Sequence, residues 1–107
     1  MSDPCDLSAT EARRLIAAKA LSPVELMQSC LDRVAKTNPA VNAMVAMDEE
    51  LALDTARNAE QTVMHGEPLG LLHGLPLGVK DLQATAGLRT TYGSLLYEDF
   101  VPEEDED

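Results

Sequence analysis

Aromatic residues are nearly absent from this 107-residue chain: they make up 3% of it, and Tyr92, Tyr97 and Phe100 all stand near the C-terminus. A core built by the residues before them is therefore aliphatic and rich in alanine and methionine, a soft packing rather than a sharply specified one. Cysteine is scarce as well. Cys5 and Cys30 lie far apart, and His65 and His73 show no metal-ligand spacing with them. This argues against a zinc cluster and a Cys-x-x-Cys redox motif, and in a reducing compartment it predicts no disulfide. No cofactor or metal is expected. Basic residues number eight against nineteen acids and are not clustered, so the electrostatic footprint of a nucleic-acid binder or a polybasic membrane surface is missing. No apolar run approaches membrane-spanning length, and no signal-peptide pattern opens the chain. The expected location is cytoplasmic.

What is present begins with an uneven charge. Residues 98–107 hold seven acids and no base, leaving twelve acids against eight bases in residues 1–97, so that the formal −11 falls to −4 for the body. The tail, ending Glu103-Glu104-Asp105-Glu106-Asp107, reads as a solvated, frayed end in preference to an acidic interaction arm. Hydrophobic residues make up 45% of the chain, ordinary for one small globular domain.

Helix signals dominate the first two thirds. Ser8-Ala9-Thr10-Glu11 has capping-box spacing and is followed by Ala12, Leu15 and Ile16 at helical intervals, which predicts a helix over about 9–19. Ser22-Pro23-Val24-Glu25 is a stronger start, because Pro at the first helical position loses no needed donor and Glu25 can reach back to the cap. Met27, Leu31 and Val34, with Val24, Cys30 and Ala35 beside them, form its apolar stripe, and Asn38-Pro39 is expected to end it. Ala43-Met44-Val45-Ala46-Met47 has the length of a buried strand. Asp48-Glu49-Glu50 then opens a helix over about 49–64 whose face carries Ala52, Ala56, Ala59 and Val63, with Gly66 as its stop and His65 as a favourable cation at its end.

From His65 onward glycine and proline punctuate the chain around a second short strand, Leu75-Pro76-Leu77-Gly78-Val79, which delivers Lys80 to its end. Open α/β sheets keep their chemistry at that end, and partial desolvation there favours the neutral amine that a base requires. Taken alone, a solvated lysine paired with Asp81 is the more ordinary account. Gly78 suits close approach by a backbone or substrate, and equally a bulge. Gly87, Gly93 and the threonines between them form a loop whose hydroxyls and amides serve either a polar ligand or the loop's own turns. His73 is assigned a structural or exposed role, since no serine or cysteine nucleophile partners it.

The surroundings of Lys80 decide between these accounts. Leu72-His73-Gly74-Leu75-Pro76, Val79-Lys80-Asp81, Ala86-Gly87-Leu88, Thr90-Thr91 and Gly93-Ser94 together resemble the first conserved region of the amidase signature family. The Ser-Pro helix start and the Asn-Pro-Ala-Val-Asn-Ala segment are similar to that family's N-terminal region, more weakly. The resemblance implies an α/β fold in which these residues supply N-terminal helices and the first short strands of a mixed sheet. It divides the chain into a helical part, 1–64, a strand and lysine-bearing loop region, 65–97, and the acidic tail, 98–107.

The resemblance also implies that Lys80 is the base of a Ser–cis-Ser–Lys triad acting on carboxamide C–N bonds. An ordinary lysine titrates near about 10.4, so burial must favour its neutral form before it can take a serine proton. The bridging serine, the nucleophilic serine and the oxyanion amides belong to a Gly/Ser-rich segment, and Ser2, Ser8, Ser22, Ser29 and Ser94 lie in no such run. The reading is thus of an N-terminal portion, incomplete and inactive alone. Asp81 is expected to cap the loop, and Ser94 to shape it. The implied partners are a small-molecule amide substrate in the intact enzyme and the remainder of the amidase fold, or a second copy in a homo-oligomer, with marginal stability and exposed apolar surface in isolation. Two alternatives are a fragment like the amide-transferring component of a tRNA-dependent amidotransferase and a non-catalytic helical interaction module with an acidic tail.

Overall fold

The structure, a computed structural model, describes residues 3–107. It contains α1 (Ala9–Ala17), α2 (Pro23–Val41) and α3 (Glu49–Met64), with 3₁₀ turns at Pro4–Asp6 and Leu95–Tyr97. Two compact units share the chain: one runs up to Val41 and resumes over Glu49–Pro76, and the other combines Asn42–Asp48 with Leu77–Asp107.

In the first unit the helices start where their caps predict. The Ser8 hydroxyl accepts the Glu11 amide at 3.1 Å, while the Glu11 carboxylate turns to Arg14 at 2.6 Å instead of closing the box. At α2 the box is reciprocal: the Ser22 hydroxyl accepts the Val24 amide at 3.0 Å, and Glu25 accepts the Ser22 amide at 3.2 Å. The Ser22 hydroxyl also donates to Glu60 of α3. Helix ends are equally specific. Lys19, at φ 60°, ends α1 with its amide on the Ile16 carbonyl at 3.1 Å and the Ala20 amide on the Leu15 carbonyl at 2.9 Å. Gly66, at φ 71°, ends α3 in the same crossed pattern through Val63 and Thr62.

Asn38-Pro39 does not end α2, contrary to the sequence expectation. Pro39 lies inside the helix, which runs on to Val41. A proline removes one amide and biases its predecessor away from helix, but near a C-terminus it forfeits only one bond. The stop is Asn42, which turns left-handed at φ 49°.

Ala12, Ile16, Leu21, Leu26 and Val63 form the core of this unit, with Leu7, Leu15, Cys30, Leu69 and Leu75 packed against it. Ile16 is fully buried. The sequence stripe on α2 named Leu31 correctly but passed over Leu26, which is more deeply buried. The Pro4–Asp6 turn is laid on α2 by the Cys5 amide, 3.0 Å from the Ser29 hydroxyl, and by Arg33, 3.0 Å from Asp6 and 3.3 Å from Asp3. These ion pairs are solvent-exposed and contribute little stability. Cys5 and Cys30 are free thiols, and burial pushes the Cys30 thiol up from its ordinary value.

The strands expected at 43–47 and 75–79 are not formed, and the described residues are helical without a sheet. Both segments lie in irregular conformation, and Thr85 with Leu88 makes one isolated antiparallel bridge. A strand exists only where a neighbour supplies its ladder, and among the described residues neither segment is given one. Leu75 instead joins the helical core, while Leu77 is 84% exposed.

Candidate functional site

Lys80 lies in the second unit, immediately before a turn in which its carbonyl accepts the Gln83 amide at 3.0 Å. Its side chain is exposed, so residues 3–107 do not supply the desolvation that a neutral amine needs. Gly78, two residues earlier, has nothing within 4 Å of where a Cβ would stand, so no close approach uses it here.

Asp81 has a different setting. Its Oδ1 accepts the Thr91 amide at 2.7 Å and its Oδ2 accepts the Thr91 hydroxyl, closing the loop between them. The Thr91 hydroxyl oxygen in turn accepts the Gly93 amide at 3.3 Å. These donors hold the Asp81 carboxyl below the usual aspartate range, the Thr91 hydroxyl contributing most. The expectation of a loop-capping Asp81 is met, and the adjacent carboxylate is turned to Thr91.

The rest of this unit is built the same way, by polar side chains closing irregular backbone. The Thr90 side chain is buried, donating to the Leu88 carbonyl at 3.2 Å, and the Thr90 amide reaches the Phe100 carbonyl at 3.0 Å. Arg89 donates to the carbonyls of Glu98, at 3.1 Å, and Val45. Tyr92, left-handed at φ 53°, meets Tyr97 edge-on at 5.1 Å and stacks on Phe100 at 6.2 Å between ring centroids. Both threonines therefore serve the loop itself. The Ser94 hydroxyl accepts the Leu96 amide at 3.2 Å and caps the Leu95–Tyr97 turn, so it shapes the loop as expected.

The acidic tail corrects an expectation. It does not fray: Asp105 accepts the Ala86 amide at 2.7 Å, Glu106 accepts the Ala84 amide at 3.1 Å, and the Glu106 amide returns to the Ala84 carbonyl at 2.9 Å. Loop amides without a ladder partner need acceptors, and carboxylates are strong ones.

Two motif residues fall in the first unit. His73 Nε2 lies 2.9 Å from the Ala59 carbonyl and donates to it, a structural role. Gly74 is required where it stands: at φ 83°, a Cβ would lie 3.0 Å from Pro23 Cγ and 3.1 Å from Ile16 Cδ1. An open groove of about 640 Å³ in that unit, lined by Gln28, Ser29, Asp32, Arg33 and Lys36 among others, is away from the motif residues in sequence, and its Ser29 hydroxyl accepts the Cys5 amide. Arg89 is the loop-organising residue that the sequence pattern did not single out, its only signal being a lone base in a Gly/Thr-rich stretch.

The family model described as Amidase matches residues 25–107, a stretch that contains Lys80 and the whole loop from 81 to 91. The chain belongs to the amidase signature family. It is 38% identical over 96 residues to the A subunit of the glutamyl-tRNA(Gln) amidotransferase of Carboxydothermus hydrogenoformans, covering 90% of this chain and 20% of that protein. With the acylamidase of Rhodococcus erythropolis it is 42% identical over 87 residues, covering 81% and 18%. A crystal structure of a bacterial aryl acylamidase of the same family superposes with a TM-score of 0.81 at 34% identity, covering 87% of this chain and 19% of that one. This member thus spans about a fifth of the length of the relatives it matches. Among its described residues no helix is long and apolar enough to cross a membrane.

Proposed function

We propose that this chain is the N-terminal part of an amidase hydrolysing carboxamide C–N bonds, with Lys80 as the base of a Ser–cis-Ser–Lys triad. The observation that carries this reading is the family match running through Val79-Lys80-Asp81, with relatives named as acylamidases. Both serines, the oxyanion amides and the cover that desolvates Lys80 then come from chain outside these residues, in line with the one-fifth coverage.

In this mechanism Lys80, neutral once covered, takes a proton from the bridging serine, which takes one from the nucleophilic serine as that attacks the amide carbon. Backbone amides stabilise the tetrahedral oxyanion, and the C–N bond breaks as the protonated relay returns a proton to the leaving nitrogen. Water activated by the same relay then attacks the acyl-serine to release the acid and restore the hydroxyl. The reading needs no metal or cofactor. Its partners are a small amide and the remainder of an amidase fold, in a cytoplasmic protein.

A second reading, part of an amide-transferring component of a tRNA-dependent amidotransferase, is favoured by the relatives of that name. The helical interaction module keeps its amphipathic helices and loses the support of the charge run, because Asp105 and Glu106 are engaged on loop amides. In the full-length protein, Lys80→Ala is expected to lower amide turnover at least about 100-fold. Unchanged turnover would remove Lys80 from the mechanism. Hydrolysis of a simple amide by the purified wild-type protein supports the first reading, and amide transfer to glutamyl-tRNA(Gln) the second.

A further inference from the structure

We propose that Asp81 is a positioning residue for Lys80, its carboxylate clamping Thr91 so that the lysine leaves the backbone from a fixed point. The inference rests on the assignment of Lys80 as the base. Peptide planarity makes Lys80 and Asp81 share one rigid link, so whatever holds Asp81 limits the directions open to the Lys80 side chain. Asp81 is held by two donors from one residue, the amide at 2.7 Å and the hydroxyl of Thr91. Thr91 is itself held, since its hydroxyl oxygen accepts the Gly93 amide and its neighbour Thr90 is anchored by a buried side chain.

The clamp also turns the carboxylate beside the base away from pairing with it. Both Asp81 oxygens are engaged on Thr91, and the Arg89 charge acts on the carboxylate as well. Its two oxygens thus already accept from Thr91 when the lysine amine meets it, and Arg89 adds only the smallest of the pulls on the carboxylate. An Asp at this place gives the loop an acceptor strong enough to close it.

The test is steady-state amide hydrolysis by the full-length protein and its variants. Asp81→Ala is expected to lower kcat about 100-fold with KM within about twofold, because a misplaced base is felt in the transition state and not in substrate binding. Thr91→Val, which removes the hydroxyl alone, should lower kcat about tenfold, and Thr91→Ser, which keeps both donors, should stay within about threefold of wild type. The double variant Asp81→Ala/Thr91→Val should be no slower than Asp81→Ala alone. Wild-type kcat in Asp81→Ala, in a protein that Lys80→Ala inactivates, overturns the clamp and leaves the base in place. Retained turnover in Lys80→Ala overturns both. A loss confined to KM, or Thr91→Ser as slow as Thr91→Val, also overturns it. If near-UV circular dichroism shows Asp81→Ala unfolded, the two Thr91 variants decide by the same criteria.

Discussion

The carboxyl of Asp81 is held down first by the Thr91 hydroxyl and then by the Thr91 amide, with burial opposing and the Gly93 amide and Arg89 charge adding smaller pulls. A carboxyl depressed in the fold contributes stability that is complete above its unfolded value and lost as pH falls through its folded one. The Thr91 amide resonance should therefore hold its position through neutral and mildly acidic pH and move only below the ordinary aspartate range. A midpoint at or above that range, in an NMR titration, would contradict the clamp's geometry. At this scale the sequence was readable where chemistry is local. Aspartate before an irregular, glycine-rich stretch reads as a cap, because its short side chain reaches nearby amides. That its partner would be Thr91, ten residues on, has no periodic or dipeptide signal, and neither has the pairing of Arg89 with Val45.

Helices were legible at both ends wherever a side chain or a left-handed residue marks them, and least so at Pro39, where a bias was read as a stop. The two strands were illegible for another reason. An apolar run of five residues states that a segment can be buried, and pairing is decided by partners elsewhere. Two left-handed positions give opposite signs on substitution. Lys19, at φ 60°, carries a Cβ where glycine would carry none, so Lys19→Gly should raise stability by about 0.5–1 kcal/mol, the relief of strain exceeding the added chain freedom. Gly74→Ala adds a Cβ at φ 83° against Pro23 and Ile16 and should cost about 2 kcal/mol or more. Urea unfolding of the full-length protein, followed by far-UV circular dichroism, reads both as shifts in midpoint at constant slope. A stabilising Gly74→Ala would mean that the turn at 73–75 does not press on α1 and α2 as described.

On the scale of the molecule, apolar exposure is heavy. Leu71 and Leu96 are each 91% exposed, and Leu95 and Leu77 are close behind. Such side chains in a monomer mark surface that something else covers. The 107 residues alone should therefore sediment above monomer mass and show weak near-UV dichroism, and a sharply cooperative, strictly monomeric species would argue against this. The family was legible because its motif is a compact run around Lys80, whereas cover for those leucines is a property of distant chain. One further consequence comes from the Arg89 guanidinium, whose bond to the Val45 carbonyl draws Asn42–Asp48 into the same unit as Leu77–Asp107. During synthesis the 42–48 segment emerges long before Arg89, and at about 5–20 residues per second it waits on the order of seconds for its anchor. In that interval the Val45 carbonyl bonds to water, and Met44 and Val45, still 38% and 43% exposed once Arg89 is in place, take their cover from elsewhere.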